Sequence, residues 1–152
     1  MLPTIRIQSD PFDPAHEAAL IESSRRDIGA IVTFTGLCRD EDGALSALEL
    51  EHYPGMAEAE IARVADEALT RWPLQALTII HRHGRILPSE RIVLVVTAAR
   101  HRGEAFAAAE FLMDYLKTRA PFWKKEHRAD GGVGDWVEAK AKDDAAAERW
   151  SK

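Results

Sequence analysis

The run RIVLVVTAA, residues 91 to 99, carries no polar side chain between Ile92 and Val96. A strand with one wet face alternates polar and apolar positions, and this one does not. Both of its faces are therefore expected to be covered by other layers. Its neighbours supply those layers. ALTIIHRHG, 76 to 84, reads as a second strand, joined to the first by a turn near Leu87-Pro88-Ser89. The segment 103 to 119 predicts the longest helix, with Ala105, Phe106, Ala109, Leu112, Met113 and Leu116 on one stripe. MAEAEIARVADEALTRW, 56 to 72, places Ile61, Val64, Ala65, Ala68 and Leu69 at helical spacing, and Pro73 ends it.

The rest of the chain follows the same rules. TIRIQS, 4 to 9, alternates like a short strand. Asp13-Pro14 reads as an N-cap and first helical residue, opening a helix to about Arg26. IGAIVTFTGLC, 28 to 38, is β-branched and apolar and reads as a buried strand. RDEDG is a turn, and ALSALELEHY completes a hairpin with one wet face. Pro121 disfavours helix at Ala120. FWKKEHR reads as a strand, ADGGVGD as a turn, WVEAK as a strand and DDAAAERW as a short helix. The order β-α-β-β-α-β-β-α-β-β-α implies one α+β domain over residues 1–152, with a mostly antiparallel mixed sheet and packed helices.

Composition narrows the function. Hydrophobic residues are 46% of the 152, enough for a core, and no apolar run approaches the ~20 residues of a membrane helix. The N-terminus MLPTIRIQSDPF lacks the basic and apolar regions of a signal peptide. The single cysteine, Cys38, excludes an internal disulfide framework and a multi-cysteine metal knot. A cytoplasmic protein without membrane attachment is the expectation. The net charge of −5 argues against a general nucleic-acid binder but leaves room for a local basic site.

That site is the stretch MDYLKTRAPFWKKEHR, 113 to 128, which gathers Lys117, Arg119, Lys124, Lys125 and Arg128 around Phe122 and Trp123. Lys117 and Lys124 are separated by a chain break and can converge on one pocket. Clustered cations disfavour one another's charge, which suits a lysine to proton transfer. Lysines at helix ends also serve the macrodipole and solubility, and spacing does not separate the two readings. His101 and Arg102 stand where a buried strand meets a long helix, a place suited to an anion. Arg39 follows an apolar strand, and it equally suits pairing with Asp40 or Glu41. Cys38 has no neighbouring base and reads as packing. His81 and His83 share a strand face, but no third metal ligand is visible.

VTFTGLCR, LELEHYPGM, RWPL, HRHG, the HR of AARHRGEAF, and above all MDYLKTRAPFWKKE resemble the catalytic subunits of molybdopterin synthase, from about residue 28 to Trp150. The resemblance implies an α/β hammerhead fold and a sulfurtransferase. Such an enzyme converts cyclic pyranopterin monophosphate (precursor Z) into molybdopterin. It takes sulfur from the C-terminal Gly-Gly thiocarboxylate of a small ubiquitin-like carrier. It implies a homodimer within a heterotetramer, and no metal or cofactor. It implies Lys117 and Lys124 as catalytic residues. It implies substrate binding by Leu37, Cys38, Arg39, His101, Arg102, Lys117, Lys124, Lys125 and Glu126. The chain departs from the family in its short RDEDG turn, in Cys38, and in Lys140, which stands where an arginine is implied. A single-stranded RNA-binding module using the basic aromatic patch, and a non-catalytic scaffold for the carrier, are the rival readings.

Overall fold

The computed structural model describes residues 3–119, 122–137 and 141–151. Seven strands and four helices follow in the order β1 (Thr4–Gln8), α1 (Pro14–Glu22), β2 (Ala30–Leu37), β3 (Leu45–His52), α2 (Met56–Arg71), β4 (Leu74–Arg82), β5 (Gly84–Ile86), β6 (Arg91–Ala99), α3 (Arg102–Arg119), β7 (Phe122–Arg128) and α4 (Ala141–Glu148), with a 3-10 turn over Arg149–Ser151. The mixed, mostly antiparallel α+β expectation holds. The strands, however, divide between two sheets. One has the order β1-β4-β6-β2 and the other β5-β3-β7. Among the described strands only β1 and β4 run parallel.

The first sheet is covered on both faces, as RIVLVVTAA requires. Alternation sends Val93 and Val95 of β6, with Leu77 and Ile79 of β4, to a core shared with Ile61, Val64 and Ala68 of α2 and Phe111, Leu112 and Tyr115 of α3. It sends Leu94, Val96 and Ala98 to the opposite face, where Phe12 and Ile21 pack. Phe111 is fully buried, with its ring edge-on to Trp72 and Trp150. Trp150 is held by its indole N–H on Asp114 Oδ2 at 2.6 Å, and Arg149 donates to the same oxygen at 2.8 Å. The 3-10 turn thus closes over the α3 core.

Several expectations need correction. The run 28 to 38 is not a buried strand: β2 lies at the edge of the first sheet, with Phe34 39% and Leu37 55% exposed. An apolar composition is set by one covered face here, not two. Nor do β2 and β3 form a hairpin. The end of β2 is pinned to the start of β6 by Cys38 N–H to the Glu90 carbonyl at 2.8 Å and Ser89 N–H to the Cys38 carbonyl at 2.7 Å. The Asp40 carboxylate then accepts from Gly43 and Leu45 N–H, turning the chain into the second sheet. The expected strand 76 to 84 is also divided. Gly84, at φ +88, ends β4 and opens β5, which pairs with β3 in the second sheet. Helix α1 stops at Glu22 because the Ser23 and Ser24 hydroxyls bind the carbonyls of its last turn. Phe106, assigned to the buried stripe of α3, is 62% exposed. The break at Ala120-Pro121 and most of the expected strand 136 to 140, Lys140 included, lie outside the described residues.

Arg82 is 6% exposed and ties the two sheets' junction to the N-terminal segment. Its guanidinium donates to the Ser9 carbonyl at 3.0 and 3.1 Å and to the Arg91 carbonyl at 3.2 Å. No described helix is long and apolar enough to cross a membrane.

Candidate active site

Strand β7 sorts its side chains by alternation against β3. Opposed pairs share a face, so Lys124 with Leu50, Glu126 with Leu48 and Phe122 with His52 point inward. Trp123, Lys125 and His127 point outward. The outward set has its own partners. The Trp123 ring meets Tyr53 edge-on at 4.9 Å, the Lys125 ammonium lies 4.2 Å from the Trp136 centroid, and His127 Nε2 is 2.9 Å from Glu49 Oε1.

The inward set faces the end of β2 and the last turn of α3 across a cleft of about 640 Å³. Its walls include Phe34, Leu37 and Arg39 from β2 and the following loop, Ile92 from β6, Lys117 from α3, and Lys124, Glu126 and Arg128 from β7. Among the described lining residues are four cations (Arg39, Lys117, Lys124, Arg128) and two carboxylates (Glu41, Glu126), a formal surplus of two positive charges in a chain of net charge −5. Arg39 pairs with Glu41 at 3.0 Å while remaining 80% exposed, so the pair is solvated and weak. Gly36 is required where β2 meets β6, because a Cβ there would lie 2.7 Å from Val93 Cγ1.

The structure therefore brings together Leu37, Cys38, Arg39, Lys117, Lys124 and Glu126, six of the positions singled out in the sequence. Cys38 is 3% exposed and packs with Leu50 and Ile86. Burial, then the Glu90, Asp40 and Glu126 charges, raise its thiol above the usual range, which keeps it protonated and a poor nucleophile. Lys125 turns away from the cleft. His101 and Arg102 also lie elsewhere. They stand at the start of α3, and Arg102 is fifteen positions from Lys117 on that helix, about 22 Å along its axis.

Sequence reasoning gave no site role to Phe34 or Met113, counted Arg128 only within the basic cluster, and weighed His81 only as a metal ligand. Arg128 had a signal, because alternation from Lys124 reaches it in two steps. His81 had none: it joins the site only because the two sheets meet. Its ring stacks on Phe122 at 3.9 Å and 14° and borders a smaller cavity of about 90 Å³ shared with Met113 and Lys117. Burial, opposed by the bond to the Arg82 carbonyl and reinforced by Lys117, His52 and His83, lowers its pKa to about 4. Among the described residues no group of three or more His, Cys, Asp or Glu is placed to hold a metal ion.

The sequence and the fold have known relatives. The model of the MoaE protein family matches residues 7–119. The molybdopterin synthase catalytic subunit of Mesorhizobium japonicum is 68% identical over 150 residues, covering 99% of this chain and 94% of that protein. The solved molybdopterin biosynthesis MoaE protein of Burkholderia ambifaria superposes with a TM-score of 0.86 at 51% identity, covering 99% of each chain. A chain of the complex of subunits 1 and 2 of the molybdopterin-converting factor from Helicobacter pylori shares the fold, with a TM-score of 0.71 at 21% identity over 91% of each chain. By the whole-chain match and the shared architecture, the chain belongs to the MoaE family and is a molybdopterin synthase catalytic subunit, an enzyme of molybdenum-cofactor biosynthesis.

Proposed function

We propose that the cleft converts cyclic pyranopterin monophosphate to molybdopterin with sulfur from the C-terminal thiocarboxylate of a small ubiquitin-like carrier. The observation that carries this reading is the convergence of Lys117 and Lys124, from a helix and a strand, on one open cleft with Arg39 and Arg128. Both proposed reactants are anions, and the cleft is cationic within an acidic protein. The two-subunit complex from Helicobacter pylori supports a small partner subunit.

In this mechanism Arg39, Lys124 and Arg128 hold the phosphate and Leu37 with Phe34 contacts the pterin. The carrier's extended tail enters the cleft, and its thiocarboxylate sulfur attacks the precursor side chain to form a thioester between the two; water then cleaves the acyl–sulfur bond, leaving the sulfur on the substrate and a carboxylate on the spent carrier. Lys117 moves the proton or holds a covalent adduct, and Lys124 with Arg39 stabilises charge as the cyclic phosphate opens. Two sulfurs are added, so the spent carrier is exchanged between additions. Cys38 takes no part, since it is buried and protonated.

The test is incubation of the protein with thiocarboxylated carrier and precursor, with molybdopterin as the readout. Product formation is expected; its absence with both reactants bound sinks the proposal. His101 and Arg102 serve this chemistry only from a second copy of the chain, because α3 holds them far from Lys117. Mixing Lys117→Ala and Arg102→Ala subunits, each inactive alone, is expected to restore activity in mixed dimers. No recovery would confine the site to one chain. The RNA-binding alternative loses its platform, because Phe122 and Trp123 face opposite sides of β7 and are engaged with His81 and Tyr53.

A further inference from the structure

An ammonium has three donors and no acceptor, and in an apolar surround it needs an acceptor. Lys117 is exposed toward the open cleft, where water solvates it, and on its other side it borders the smaller cavity, whose lining is otherwise Phe34, Leu37, Ile92, Met113 and similar apolar groups. His81 is the one other polar side chain among the described residues of that lining. Its geometry defines which ring nitrogen is available. Nδ1 lies 2.8 Å from the Arg82 carbonyl, which only accepts, so Nδ1 carries the proton. The stack on Phe122 fixes the ring plane, and that stack also locks the first sheet to the second. In the neutral ring Nε2 is then an acceptor with a free lone pair. The cavity of about 90 Å³ has room for a bridging water, whose share of liquid volume is about 30 Å³.

We infer that His81 is a positioning residue for Lys117: its Nε2 accepts, through one water in the cavity, a hydrogen bond from the lysine amine and holds that amine at the mouth of the cleft. The imidazole itself takes no proton. Burial, with the charges of Lys117, His52 and His83 around it, keeps it neutral through the physiological range. The inference deepens the proposed role of Lys117 and rests on that role for its effect on turnover, but not for the coupling between the two side chains.

Two measurements separate these. The first uses protein alone: ¹⁵N NMR of the histidine rings against pH, in the native chain and in Lys117→Met. His81 should show the Nδ1–H tautomer and remain neutral at pH 5, and its pKa should rise in Lys117→Met. An unchanged His81 titration, or the opposite tautomer, overturns the inference whatever the reaction. The second uses the reconstituted reaction. His81→Phe keeps the ring stack but removes the acceptor, and kcat should fall at least tenfold with KM unchanged. His81→Gln restores an acceptor and should recover much of the loss. Native turnover in His81→Phe, or no difference between Phe and Gln, would assign His81 to packing alone. Failure of the native protein to form product would sink the proposed function, and the NMR result would still decide the coupling.

Discussion

In β6 every residue from Val93 to Ala99 is buried, whereas in β7 not one of the seven residues is. Both strands obey the same two-residue alternation. On β6 alternation merely chooses between two apolar layers, the α2–α3 core and the Phe12–Ile21 core. On β7 it chooses between chemistry and solvent, sending Lys124, Glu126 and Arg128 into the cleft and Lys125 away from it. The first sheet supplies the rigid core, and the second brings Lys124, Glu126 and Arg128 to the cleft. A cationic cleft destabilises itself by like-charge repulsion, so it needs a scaffold whose stability comes from elsewhere.

This division is open to direct attack. The largest effect should come from Lys117→Ala. Removing the amine proposed to react is expected to cost about 10²- to 10⁴-fold in molybdopterin formation, the range for a positioned acid or base. Denaturant unfolding should stay near native, since Lys117 lies outside the buried set of α3. Near-native turnover would remove it from the mechanism. Phe111→Ala should do the reverse. It empties a fully buried site between Trp72, Tyr115 and Trp150 and should lose about 3–5 kcal/mol of stability. The protein that remains folded should keep its turnover per molecule; a loss of turnover beyond the loss of folded protein would show that the two sheets are not separable.

The joint between the sheets predicts a pH effect of intermediate size. His81 has a folded pKa lowered to about 4 from 6.5, so between those values the unfolded chain binds the extra proton. Its contribution is fully present above about pH 6.5 and is lost as pH falls toward 4, on the order of 3 kcal/mol. Comparing unfolding free energies at pH 7 and pH 4.5 in native protein and His81→Phe checks this. The native protein should lose more, and equal losses would refute it. The smallest effect should be that of Cys38→Ser. A hydroxyl in the Leu50–Ile86 cluster costs about 1 kcal/mol of stability. Activity with thiocarboxylated carrier should persist, and sulfur found on Cys38 by mass spectrometry during turnover would overturn direct transfer.

Much of the site was legible along the chain, and the reasons differ by residue. FWKKEHR was identified as a strand to the residue, and period two already separates Lys124, Glu126 and Arg128 from Lys125. The Lys125 assignment came from the family block, which preserves neighbours without regard to face. His101 and Arg102 were singled out at the junction of strand and helix and by the HR of AARHRGEAF, although the predicted helix is itself a rod that keeps them from Lys117. The run 28 to 38 was misjudged because an edge strand whose apolar side chains pack on one core face can have the composition of a buried one. Phe106 was misjudged because the α3 stripe was drawn one residue too wide, and the adjacent Ala105 is the residue that turns inward.

The type of each element and the side chains that share a face can be read along the chain, because both depend on backbone geometry over a few neighbouring residues. The need to cover RIVLVVTAA twice can be read there as well. Long-range pairing is what separates β2 from β3, carries β5 to the second sheet at Gly84, and sets His81 against Phe122 beside the cavity that Lys117 also lines. Those outcomes depend on strand edges far apart in sequence competing for the same partners. The winner is set by the total apolar surface each arrangement buries, a quantity that no single stretch of the chain contains.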